Sequence, residues 1–152
     1  MLMKTRTALL ALLIAAPLIL AACSSGKPEA AKQQVTLFKS EYCGCCDVYA
    51  QYLAKGFSAD IQTIPDMTPI KEKYSIPKSM ESCHTTVAGA YFVEGHVPKE
   101  AVDKLLAEKP DIAGIAMPGM PSGSPGMPGG KTGPFIIYAV QHDGRTAEFM
   151  RI

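Results

Sequence analysis

Residues 43–46 read Cys-Gly-Cys-Cys, three cysteines within four positions. Cys43 and Cys46 have the C-x-x-C spacing of a dithiol that exchanges two electrons with a disulfide. Cys45 departs from that pattern. A third thiol beside the pair disturbs a clean two-electron exchange, yet it gives a soft metal another ligand. Cu(I) is soft and prefers thiolates. Because sulfur also bridges metals, a tight group of three or four thiolates can hold more than one copper ion. Zn²⁺ is the main competitor, since three cysteines and a histidine make a tetrahedral set. However, C-x-C-C is not a common zinc-finger spacing, and no second C-x-x-C follows. A disulfide-stapled scaffold is a further alternative. It fits poorly, because adjacent Cys45 and Cys46 can hardly both be staples and a Cys43–Cys46 loop is too short to stabilise much through chain entropy.

A second group of candidate ligands lies at Ser82-Cys83-His84-Thr85. A buried free cysteine and a surface histidine are both common, but beside a cysteine trio Cys83 and His84 read as part of a site. His96, in Glu94-Gly95-His96-Val97-Pro98, is open between a ligand, a proton carrier and a turn cap. His142 falls in a turn and reads as solvated. Met117, Met120 and Met127 are spread through a stretch, 117–134, with five prolines and six glycines. Thioethers bind Cu(I), but such a loop also needs apolar anchors, and packing is the favoured role. No catalytic residue is assigned. No carboxylate pair, serine triad or phosphate-cradling loop is present, and Asp47 and Glu94 lack evident partners, so hydrolytic chemistry is not expected.

These residues must be placed by a small set of elements. Residues 35–40 (VTLFKS) are β-prone, and residues 47–56 show Val48, Tyr49, Tyr52 and Leu53 at helical spacing before Gly56. The three cysteines therefore sit at a strand-to-helix junction. There, free N–H groups and the positive end of the helix dipole lower thiol pKa values below about 8.5. Residues 57–65 read as a second strand with Phe57, Ala59, Ile61 and Ile64 inward, and a short helix starts near Thr68-Pro69 and ends before Pro77. Residues 85–98 read as a hairpin with Glu94-Gly95 near a turn. Residues 99–110 form an amphipathic helix with Ala101, Val102, Leu105 and Leu106 on one face. The proline- and glycine-rich stretch excludes helix and strand. It is held at both ends, because residues 134–140 (PFIIYAV) and then 146–152 read as late strands around a turn at 142–144. The order predicts an α/β domain: a small mixed sheet flanked by helices, with the cysteine motif after the first strand, in a thioredoxin-like arrangement that carries a long Gly/Pro/Met-rich loop.

Residues 1–22 have the layout of a signal peptide: Lys4 and Arg6, an apolar run from Ala8 to Leu20, then small residues before Cys23. The apolar run is shorter than the ~20 residues that span a bilayer. Leu20-Ala21-Ala22-Cys23 is similar to a bacterial lipobox, which predicts lipidation at Cys23, residues 23–34 as lipidated cysteine and flexible tether, and 35–152 as the folded domain. Ser24 after the cysteine points to the outer membrane of a Gram-negative envelope. The whole chain carries a formal net charge of +1, and loss of Lys4 and Arg6 with the signal segment would make it −1. Neither value provides the basic field that nucleic acid requires.

Together, Cys-Gly-Cys-Cys, Ser-Cys-His-Thr, GAYFVEGHVP (residues 89–98) and PGMPSGSPGM (residues 118–127) resemble the CopG-like copper-resistance family, formerly a domain of unknown function. The resemblance runs from about Val35 to Ile152. It implies a thioredoxin-like fold, an envelope location and Cu(I) binding, with copper chaperones or efflux components as partners. Residue by residue, it points to Cys43, Cys45, Cys46, Cys83, His84 and His96. The added PGGKTGP (residues 128–134) gives no support to the methionines as ligands. A thiol–disulfide oxidoreductase using Cys43 and Cys46 is the alternative.

Overall fold

The computed structural model describes residues 31–152; the expected signal segment, Cys23 and most of the expected tether lie outside the described residues. Seven strands form one sheet in the order β2-β1-β3-β4-β5-β6-β7. They are β1 (Gln34–Ser40), β2 (Ser58–Ile64), β3 (His84–Ala88), β4 (Tyr91–Glu94), β5 (Gly114–Ala116), β6 (Ile136–Val140) and β7 (Thr146–Arg151). Three helices, α1 (Gly44–Ala54), α2 (Thr68–Lys73) and α3 (Lys99–Glu108), lie between them, with a single 3₁₀ turn at Lys78–Met80. β1 pairs parallel with β2 and antiparallel with β3, and β3 pairs antiparallel with β4. With α1 joining β1 to β2 and α3 following β4, this is the thioredoxin-like core. β5, β6 and β7 extend its sheet beyond β4.

Strand alternation divides the interior between two faces. On one face Val35, Leu37, Val93, Ile115, Ile137 and Ala139 pack with Tyr49 and Leu53 of α1 and with Ala101, Val102 and Leu105 of α3. On the other, Phe92, Ala116 and Val140 pack with Ile76, flanked by Tyr74 and Met80. α1 and α3 are also joined directly, since the Lys99 N–H donates to the Tyr52 hydroxyl at 2.8 Å. The apolar stripe that made α1 legible thus fixes the helix against the sheet, and with it the direction of the cysteine segment at its start.

Several expectations need correction. β2 is an edge strand, and Ile61 is 39% exposed rather than inward. Phe57, just before the strand, is the residue that enters the core. The hairpin turns at Gly89-Ala90, where Gly89 has φ +62°, and not at Glu94-Gly95. On α1, Val48 is exposed, while Tyr49 and Leu53 carry the buried face. β5 is not legible in the sequence. Its three residues are too few for any periodicity to show.

Candidate metal centre

Cys43 is the residue before the first turn of α1, and Cys45 and Cys46 lie within that turn. A helix start brings these side chains together because its first residues bend sharply around the axis. The structure pairs Cys43 and Cys46 as a disulfide, with Cα atoms 5.3 Å apart, and leaves Cys45 and Cys83 as free thiols. Cys45 Sγ is 3.5 Å from Cys43 Sγ. Cys83 arrives from the residue before β3, and all four sulfurs lie within 4.8 Å of one another.

Cys83 also belongs to a second group, with His84 and His96, whose ligand atoms meet the same 4.8 Å limit. Its Sγ is 3.4 Å from His84 Nδ1 and 3.2 Å from His96 Nε2. The tautomer of His96 follows from its other nitrogen. Nδ1 lies 2.7 Å from the Pro125 carbonyl, which can only accept, so Nδ1 carries the proton. In the neutral ring Nε2 then holds a free lone pair directed at Cys83. This is how proteins usually prepare a metal-binding imidazole. His84 Nε2 is buried without a hydrogen-bond partner.

The protonation states suit metal capture. Burial pushes His84 down to about 3, with His96 and Lys71 adding to the effect, and burial also lowers His96 against the Pro125 hydrogen bond. Both rings are therefore neutral near neutral pH, the form in which imidazole can bind a metal. Burial, with the nearby Cys45 adding to it, raises the Cys83 thiol to about 11. Without metal it is a thiol, and a bound cation must displace its proton.

The centre is closed on one side and open on the other. Cys46, His84, His96 and Tyr49 are fully buried, whereas Cys43, Cys45 and Cys83 reach the surface. Tyr49 forms the inner wall. Its ring centroid is 4.4 Å from that of His84 and 5.5 Å from that of His96, and its hydroxyl donates to the Val97 carbonyl at 2.9 Å. Helical spacing identified Tyr49 only as a core residue, and nothing in the sequence marks it as a neighbour of the site.

The proline- and glycine-rich loop is a strap over this centre. Besides Pro125, its Gly119 carbonyl accepts from Ser82 Oγ at 3.1 Å. Gly126 has φ +84°, and a Cβ there would lie 2.8 Å from Tyr49 N and 2.9 Å from the Cys45 carbonyl oxygen. Only glycine lets the strap lie this close to the start of α1. Gly95 plays the same part below, where a Cβ would lie 2.7 Å from the Met117 carbonyl oxygen and 2.9 Å from Ser82 Cβ. Of the strap's methionines, Met117 is a buried core residue and Met120 is 53% exposed. His142 is exposed and pairs with Asp111 at 3.1 Å, away from the cluster.

Two carboxylates without evident sequence partners do have them. Asp47 pairs with Lys39 of β1 at 3.0 Å, tying the end of that strand to α1. Glu94 pairs with Lys71 of α2, and both are buried.

Comparison with known proteins agrees with this arrangement. The family described as "Protein of unknown function, DUF411" matches residues 80–127, which span Cys83, His84, His96 and most of the strap. No curated protein matches the chain. Two solved structures, "Copper resistance protein copG- Form 1" and "Form 2", are each 35% identical to it, with TM-scores of 0.73 and 0.74. Each alignment covers 80% of this chain and 98% of the other. Identity at that level over nearly the whole of the solved chains, on the same fold, places the chain in the CopG-like copper-resistance family.

Proposed function

We propose that this protein binds copper as Cu(I) in the service of copper resistance, through Cys43, Cys45, Cys46 and Cys83, with His84 and His96 as inner ligands. The observation that carries this reading is the overlap of two ligand groups at one sulfur, Cys83. A thiolate shared by both groups can bridge ions, which supports more than one copper per chain. Once the Cys43–Cys46 disulfide is reduced, four thiols and two neutral imidazoles form a soft donor set. Zn²⁺ takes the same Cys and His donors in tetrahedral sites, so direct competition between the two metals decides which is bound.

The Cys43–Cys46 disulfide supports a redox side to the same function. Oxidation of that dithiol by two Cu(II) ions yields the disulfide, two Cu(I) and two protons. The reverse consumes two electrons from Cu(I) or from another reductant. The disulfide also favours the second reading, a thiol–disulfide oxidoreductase in which Cys43 attacks and Cys46 resolves.

An anaerobic Cu(I) titration of the reduced protein against a competing chelator separates the two. Tight binding of at least one equivalent, weakened in Cys45→Ser, supports copper binding, and preference over Zn²⁺ in direct competition supports the metal. Unchanged affinity in Cys45→Ser, together with disulfide reduction abolished in Cys43→Ser, supports the oxidoreductase. The lipobox-like tetrad supports a lipid anchor at Cys23 in the cell envelope, where chaperone or efflux components would exchange copper with it. Cys23→Ala should move the protein from the membrane fraction to the soluble fraction.

A further inference from the structure

Beneath the Ser82–Thr85 segment lies a charged pair that belongs to neither ligand group. Lys71 is 5% exposed and Glu94 0%, and their side chains form an ion pair. Lys71 Nζ also donates to the Ser82 carbonyl at 3.1 Å and to Thr85 Oγ1 at 2.9 Å. Glu94 accepts from the Ser82 N–H at 2.6 Å through Oε1 and from the Thr85 hydroxyl at 2.7 Å through Oε2. Four hydrogen bonds therefore run from the pair to the two residues that flank Cys83-His84, two on each side. None of the four touches a candidate ligand.

Burying such a pair is costly, and well-packed apolar residues in its place often leave stability unchanged or improve it. Stability therefore does not account for the pair, whereas the placing of its hydrogen bonds does. Thr85 is held from both sides, donating to one charge and accepting from the other, and Ser82 is held by both its N–H and its carbonyl. The turn before β3 has no proline to stiffen it. We propose that Lys71 and Glu94 are positioning residues that hold the Ser82–Thr85 segment so that Cys83 Sγ stays within reach of both ligand groups. The consequence for copper rests on the reading that Cys83 binds it.

The test compares the reduced full chain, the double variant Lys71→Met/Glu94→Leu and Cys83→Ser. The double variant removes both charges at once and leaves no unpaired ion in the core. Two readouts are taken: alkylation rates of Cys83 and Cys45 without metal, mapped by peptide mass, and Cu(I) affinity against a chelator. The expected result is a cooperatively folded double variant in which Cys83 alkylates about tenfold faster while Cys45 is unchanged. Its Cu(I) affinity should fall by roughly 10–100-fold, the usual loss when the support of a ligand is removed, for the equivalents that Cys83→Ser also loses. Wild-type Cys83 reactivity and wild-type affinity in the folded double variant would overturn the proposal. If the double variant does not fold, Thr85→Val decides in its place: it removes the hydroxyl on which both charges converge, and wild-type Cys83 reactivity there overturns the proposal equally. A wild-type protein that takes up no Cu(I), or a Cys83→Ser variant that takes up as much, refutes the copper reading. The alkylation comparison still decides the positioning claim.

Discussion

The candidate centre joins two regions built in opposite ways. Cys43, Cys45 and Cys46 lie within one helical turn, so chain locality alone brings them together, and two of the three reach the surface. Cys83, His84 and His96 are gathered by tertiary structure: a strand start, a loop after β4, a buried ion pair and a carbonyl from a distant strap. The first region is cheap to form and easy to reach. The second depends on the whole fold, and its histidines are sealed from water. Under the proposed function, exchange of copper or electrons with a partner would fall to the open cysteine turn, and retention of metal to the closed side. Cys83 is the one residue common to both.

That sharing predicts the largest effect. Cys83→Ser should remove a ligand from both groups and lower both the number of tightly held Cu(I) ions and their affinity. The affinity loss should exceed the roughly 10–100-fold that follows loss of an outer supporting group. Cys43→Ser, by contrast, removes a ligand from one group only, and the histidine side keeps its donors. Chelator competition on the two reduced variants checks this. Equal losses would mean that the two regions act as one undivided site.

The two regions also differ in their supporting ion pairs, and here the measurement is stability. Lys71→Ala strands the buried Glu94 carboxylate, and breaking a buried pair in this way costs about 3–5 kcal/mol. The Lys39–Asp47 pair supports the cysteine turn, but Asp47 is 56% exposed. Lys39 is only 7% exposed, but it keeps the Ser40 carbonyl as an acceptor, so Asp47→Asn should cost about 1–3 kcal/mol, less than Lys71→Ala. Urea denaturation of the reduced, metal-free variants gives both values, and a ratio near one would show that the turn depends on the fold as strongly as the Cys83 segment does.

The contrast between local and long-range assembly also explains what the sequence reveals. The cysteine turn, the helix behind it and the β-α-β order are written in neighbouring residues, and the structure places them as read. The pairing of Glu94 with Lys71 spans 23 positions with no local pattern to announce it. The same holds for Asp47 and Lys39, and for the Pro125 carbonyl that sets the tautomer of His96. β2 misleads for a related reason. Its residues alternate like those of an inner strand, but edge position depends on strand order, and at the edge Ile61 is left exposed. His96 is undecided from its motif because a histidine after glycine suits a turn as well as a ligand. The structure rules out a solvated turn cap by burying the ring between Cys83 on one side and Pro125 on the other.

The strap offers the finest division between the two regions, because it touches both: Pro125 on the histidine side, Gly126 on the cysteine side. Its methionines are the remaining soft donors near the centre, and burial already separates two of them. Met117 is 1% exposed and packs among core residues such as Val97 and Ile115. Met117→Ala should cost about 2–5 kcal/mol by leaving a cavity. Met120 is exposed, next to the glycine whose carbonyl holds Ser82, and it fills no core space. Met120→Ala should therefore change stability by no more than about 0.5 kcal/mol. If the strap serves only to orient His96 and cover the start of α1, Cu(I) affinity should also be unchanged. A measurable loss of affinity in Met120→Ala, with stability intact, would instead make the strap a donor of metal ligands and move Met120 from the covering structure into the open half of the site.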